Sequence, residues 1–351
     1  MSMQTQPPET DLIVPLPGEG EQWDPWTIHT HYFGASVPEA ELGVFTYIRY
    51  MPAFASCQGG VCIFRGLDNF EPIDMEFLDY KITMPWPRVD GNVIETENGL
   101  RIEFLEPGKR ARITYESADG KTSLDLDQEA VSPLLMRGHI VPGEETQTDP
   151  SQTPGGSEQF MHATGNITVR GESHDVDCFA PRDRSWRQVR SEAQGGAVPI
   201  PAVGWSPMCF GEDLIFNQIS FEPADTDPAW AGHFDHIPAD KPTHHFAWIY
   251  TDGELREITR VRRNVLEYHP RLHMSQRQEV EAEDADGNTY SFRGEAIAMA
   301  GLPAWPNAAF RDSVYRWESE DGRVTHATYQ ELWADAYQRV MNERARATAG
   351  A

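Results

Sequence analysis

Hydrophobic and polar residues alternate in short runs along most of this chain, and turn residues separate the runs at close intervals. Arg101-Ile102-Glu103-Phe104-Leu105 is one such run. Arg112–Glu116 and Ser123–Asp127 flank the turn Ala118-Asp119-Gly120-Lys121. An Asp-Gly step between alternating runs is the strongest short-range signal for a β-hairpin. It recurs at Asp286-Gly287, between Glu279–Asp284 and Thr289–Arg293, and at Asp321-Gly322, between Val314–Glu318 and Arg323–Thr328. Asp252-Gly253 is a fourth instance, and Asn166–Arg170 pairs with His174–Phe179 around Gly171-Glu172. With 28 glycines and 26 prolines among the runs, the pattern predicts an all-β, mainly antiparallel chain of sandwich or barrel type.

One helix is predicted, over residues 329–346. Its apolar positions, Tyr329, Leu332, Trp333, Ala336, Tyr337, Val340 and Met341, are spaced by three and four. Thr328 with Glu331 makes a capping box, and Arg344 and Arg346 suit the C-terminal end. The stretch Pro142–Gly156 is polar and without periodicity, which marks a linker or a long loop. A boundary there divides an N-terminal β domain, 1–150, from a C-terminal β-barrel domain, 151–351, that ends in the helix.

Composition narrows the partners. A chain of 351 residues is long enough for two ordinary domains. Its 55 acidic and 29 basic side chains leave a net charge of −26, which excludes nucleic acid and anionic membrane surfaces as partners. No apolar run approaches a membrane span, and Met1–Asp11 does not read as a secretion signal. The expected setting is the cytoplasm, with a homodimer left open. Cys57 and Cys62 lie close together while Cys178 and Cys209 stand alone, which fits buried free thiols better than zinc ligands.

The densest charged segment follows the apolar run Val176–Ala180. Arg182, Asp183, Arg184, Trp186, Arg187 and Arg190 crowd within nine residues, where a buried strand is expected to end. Buried charges need partners. One reading is structural, with Asp183 clamped by Arg182 or Arg184 and Trp186 capping the core. The other places these groups around a ligand.

Four segments together resemble the AttH-like superfamily, which includes carotenoid hydratases. They are His31-Tyr32-Phe33-Gly34, Gln58-Gly59-Gly60, Gly156-Ser157-Glu158 and Pro181-Arg182-Asp183-Arg184-Ser185-Trp186. The resemblance implies two consecutive lipocalin-like β-barrels with a ligand cavity in or between them. In the common pattern a glycine follows the tryptophan; here Arg187 stands there.

Other chemistries lack their residues. There is no Gly-x-Ser-x-Gly, no Gly-x-Gly-x-x-Gly and no Walker motif, so no nucleotide cofactor is expected. His29 with His31, His244 with His245, and His269 with His273 form pairs without further ligands, so no metal is expected either. General acid/base chemistry remains, with Asp183, Glu158, His162 and His31 as candidates and Asp312 as a further carboxyl. Arg182, Arg184, Trp186, Trp205, Phe210, Trp248 and Trp305 are the candidate substrate-binding residues, the aromatic ones lining an apolar cavity. The expectation is a hydratase, dehydratase or double-bond isomerase that needs no cofactor and acts on a terpenoid- or steroid-like molecule. The alternative is a non-catalytic binder of such molecules. Trp186 is expected to share one cavity with Trp205, Trp248 and Trp305.

Overall fold

A computed structural model describes residues 5, 7–12, 14–137, 155–189, 201–223, 225–226, 230–238, 240, 242–305, 308–333 and 335–349. Two compact units divide the chain, Met1–Ser191 and Glu192–Ala351. The first holds β1 (Thr27–Val37), β2 (Leu42–Met51), β3 (Ser56–Arg65), β4 (Phe77–Pro85), β5 (Arg88–Asp90) and β6 (Val93–Glu95). It continues with β7 (Arg101–Glu106), β8 (Arg110–Glu116), β9 (Ser123–Ala130), β10 (Leu135–Arg137), β11 (Gly155–Val169) and β12 (Glu172–Val189). These form one curled antiparallel sheet in the order β4-β3-β2-β1-β12-β11-β9-β8-β7-β6-β5, with β10 added beside β11. The hairpin predicted around Asp119-Gly120 is β8–β9, and burial alternates along both strands as the sequence pattern requires. β1 differs: all eleven of its residues are buried, on both faces of the sheet.

The domain boundary lies about forty residues later than the sequence suggests. β11 and β12 pair along their whole length, and β12 also pairs with β1, so both long strands belong to the first unit. Most of Pro142–Gly156 lies outside the described residues; Gly155 and Gly156 already begin β11.

The second unit is a closed barrel of β13 (Val203–Cys209), β14 (Leu214–Phe221), β15 (His244–Thr251), β16 (Glu254–Tyr268), β17 (Ser275–Asp284), β18 (Thr289–Leu302), β19 (Ala309–Ser319) and β20 (Val324–Trp333). The three remaining Asp-Gly steps join β15 to β16, β17 to β18 and β19 to β20. One α-helix is found among the described residues, α1 (Asp335–Ala349), and it follows β20. The predicted helix start fails because Tyr329, Glu331 and Trp333 alternate inward as part of β20. Glu331 caps nothing; inside the barrel it meets Arg263 at 3.4 Å and accepts hydrogen bonds from Tyr329 Oη (2.8 Å) and Trp333 Nε1 (3.0 Å). Closure of the barrel outweighs helical spacing here. Tyr337 and Met341 of α1 do pack inward, against Trp230, Phe234 and Trp333. No described helix is long and apolar enough to cross a membrane.

Candidate active site

β12 does not stop at Ala180. It runs on through the arginine cluster to Val189, so alternation sends Arg182, Arg184 and Trp186 to one face and Asp183 and Ser185 to the other. That geometry rules out the expected clamp of Asp183 by its neighbours. Arg182 instead forms a bidentate pair with Asp11, 2.9 Å at each oxygen, and donates from Nε to Gln159 Oε1 at 2.7 Å. Both members of the ion pair are buried. Asp11 also accepts the Gly108 amide at 2.7 Å.

His31 lies on the same inner face, opposite Arg184. Its Nδ1 is 2.9 Å from Tyr50 Oη and its Nε2 is 3.1 Å from the Asp11 carbonyl. Burial, reinforced by Arg184, holds this imidazole well below its usual range, so it is neutral at pH 7. The same burial lowers Arg184 to about 10. The space lined by His31, Phe33, Leu134, Ser157, Arg182, Asp183 and Arg184 is too narrow for a water molecule. Trp186 is fully buried, with Arg184 5.4 Å above its ring. A Cβ at Gly155 would come within 2.6 Å of the indole, so the glycine of the partner strand makes room for it. His31, Arg182, Arg184 and Trp186 thus share one packed, buried face.

The outer face holds the two carboxyls Glu158 and Asp183. Tyr47, Tyr32, Asp183, Glu158 and Leu135 stand in register across β2, β1, β12, β11 and β10. Glu158 and Asp183 are direct cross-strand partners, which places their side chains side by side on one face. Glu158 is 1% exposed and Tyr32 2%, while Asp183 is half-buried. Tyr32 bends back over Gly34, where any Cβ would fall 2.5 Å from the phenol oxygen. The Phe45 ring lies 5.3 Å from Tyr32 and 5.4 Å from Tyr47, which completes an aromatic wall beside the carboxylates. Arg49, two residues along β2 from Tyr47 and 3% exposed, lies on this face as well.

Arg187, the departure from the common pattern, sits at a bulge. Ile28 pairs with Gln188 and Thr30 with Ser185, so β12 has an extra residue there. Arg187 adopts φ 49°, a left-handed conformation that suits glycine. Its guanidinium lies 4.0 Å from the Trp23 ring centre, and its amide donates to His29 Nδ1 at 2.9 Å. Arg187→Ala keeps the strain and loses the stack, so it should cost about 1 kcal/mol. Arg187→Gly loses the same stack but relieves strain of about 1 kcal/mol, so it should be near neutral. Urea midpoints of the two variants check this; a glycine variant less stable than the alanine variant would contradict it.

The remaining candidates scatter. His162 is exposed, 2.6 Å from Asp177 and four residues along β11 from Glu158. Trp205, Trp248 and Trp305 belong to the second unit and Trp186 to the first, so they do not close around one interior of a single half. Trp205 and Trp248 are buried, and Trp205 Nε1 donates to Asn217 Oδ1 at 2.9 Å. Phe210 stacks on Phe292 at 5.7 Å, and Trp305 is half-buried. Asp312 is fully buried on β19, where it accepts from Thr328 Oγ1 (2.8 Å) and the Ser313 amide (3.0 Å); burial raises it to about 7.

Two members of the histidine pairs are otherwise engaged: His29 meets the Pro15 carbonyl at 3.0 Å, and His269 Nδ1 accepts backbone amides within a turn. Among the described residues no three His, Cys, Asp or Glu side chains converge as a metal site. Asp11, Tyr50 and Tyr47 carry no signal in the sequence, because long-range pairing brings them here and no local spacing announces them.

The fold has solved relatives. A Nitrosomonas europaea protein provisionally described as an AttH aligns over 91% of this chain and 98% of its own, with TM-score 0.56 and 12% identity. CghA aligns with TM-score 0.55, and with 0.51 in its complex with Sch210972; identity is 12% in each, and coverage is at least 92% of this chain and 94% of CghA. At this identity the likeness shows the fold, and it is the AttH-like fold that the sequence motifs resemble. No curated protein matches the sequence. A family model spans residues 19–333, nearly the whole of both units, and by that match the chain belongs to the family described as a domain of unknown function, DUF7064.

Proposed function

We propose that this chain is a cofactor-independent acid/base enzyme for a hydrophobic small molecule, terpenoid- or steroid-like, acting as hydratase, dehydratase or double-bond isomerase. The observation that carries the reading is the facing pair Glu158 and Asp183 on a buried, aromatic-walled face. In hydration, the protonated member gives its proton to an alkene carbon. Water adds to the cation that forms, and the ionised member takes the proton that water releases. The pair ends with one proton, as it began, and dehydration is the reverse. Isomerisation uses the same two groups, with the second carboxylate removing a carbon-bound proton. The faces of Tyr32 and Tyr47 would stabilise the developing positive charge. The packed arginine and histidine frame behind β12 would hold both carboxylates in place.

Incorporation of labelled oxygen from H₂¹⁸O into linalool, geraniol and related alcohols, followed by mass spectrometry, tests this reading. Wild type should catalyse exchange without added metal or nucleotide, and a chelator should leave the rate unchanged. Glu158→Gln and Asp183→Asn should each lower the rate by roughly 10²- to 10⁴-fold. Full activity in both variants would remove the assignment. Tight binding of the alcohols with no exchange would favour the non-catalytic reading.

A further inference from the structure

The barrel of the second unit does not pair evenly around its circumference. β15 pairs with β16 only where Trp248–Thr251 face Glu254–Glu257. β16 continues beyond that to Tyr268 along β17, and its other edge parts from β15. Thr243 Oγ1 bridges the gap by donating to the Val261 carbonyl at 2.6 Å. Beside this splay opens a cavity of about 900 Å³, within the size range of small-molecule sites.

Its walls have a definite chemistry. Phe221, Phe234, Val261 and Ala282 line it and are each no more than 4% exposed. His244 lines it as well, and its Nδ1 is buried with no hydrogen-bond partner among the described residues. Burial lowers the basicity of this imidazole, so it is neutral at pH 7, and the Ile258 carbonyl is its hydrogen-bonding neighbour. At the rim, Arg262 is paired with Asp225 at 3.3 Å and Arg260 with Glu283. Asp235, Asp240 and Glu281 remain as excess negative charge, which disfavours carboxylates and phosphates.

We propose that this cavity is a second ligand site, independent of Glu158 and Asp183, for a neutral, largely apolar molecule carrying one hydroxyl, with the His244 imidazole as its polar partner. It goes beyond the acid/base reading and stands if that reading fails.

Calorimetric titration of the full chain with 2-naphthol, naphthalene and 2-naphthoate tests it. 2-Naphthol should bind, and 2-naphthoate should bind at least about tenfold more weakly. His244→Phe should weaken 2-naphthol about fivefold, the value of one neutral hydrogen bond, and leave naphthalene within about twofold. Ala282→Phe should abolish binding of both; if that variant does not fold, Thr289→Trp supplies the block at the rim. Glu158→Gln should bind 2-naphthol as wild type does. No binding of 2-naphthol, equal binding of 2-naphthoate, an unchanged His244→Phe, binding that survives the blocking substitution, or loss in Glu158→Gln would each overturn the proposal.

Discussion

Asp11→Ala should cost the first unit about 3–5 kcal/mol, because it leaves Arg182 buried without its counter-ion. The pair is bidentate at 2.9 Å and almost wholly excluded from water. The same substitution strands the Gly108 amide, which donates to Asp11 at 2.7 Å. Exposed pairs behave differently. Arg112→Ala removes an equally well-formed bidentate contact to Asp125, but solvent already screens both partners, so its effect should be slight. Urea denaturation of the two variants beside wild type reads the contrast. Equal losses would show that the Asp11–Arg182 pair does not frame β12.

Asp312→Asn should stabilise the protein in a manner that depends on pH. The carboxyl is raised to about 7 in the fold, from 3.8, chiefly by burial. Between those two values the folded chain keeps a proton that the unfolded chain has released. Stability therefore falls as pH rises through that window and is flat above it, and the full penalty is roughly 4 kcal/mol. Asparagine keeps the acceptor oxygen for Thr328 and Ser313 but has no charge to desolvate. The variant should match wild type near pH 4, exceed it increasingly up to pH 7, and hold its advantage at pH 8. A difference that does not change with pH would place the ionisation elsewhere.

Both predictions concern carboxylates whose importance sequence alone conveys poorly, and the reason is physical. Hairpins announce themselves locally, so the Asp-Gly turns at Asp119, Asp252, Asp286 and Asp321 were readable, and with them the all-β class. Asp11 lies 171 residues from Arg182 and precedes the first strand, so no local pattern links them. The arginine cluster was readable as an unusual place but not as a geometry. Ending the strand at Ala180 hides the alternation that parts Asp183 from Arg182 and Arg184. Carrying the strand through Trp186 puts Asp183 beside Glu158 at once. Tyr329, Glu331 and Trp333 failed in the opposite sense, since spacing by three and four coexists there with an alternating pattern. Closure of the barrel, a long-range event, chose between them.

The proposed acid/base pair requires one proton between Glu158 and Asp183 in the resting enzyme. Infrared difference spectroscopy at pH 7, wild type against Glu158→Gln and against Asp183→Asn, measures it directly through the carbonyl stretch of a protonated carboxyl. Each substitution should remove the same single protonated-carboxyl band, because either change lets the remaining group ionise beside a neutral amide. Two ionised carboxylates in wild type, with no such band lost in either variant, would contradict it.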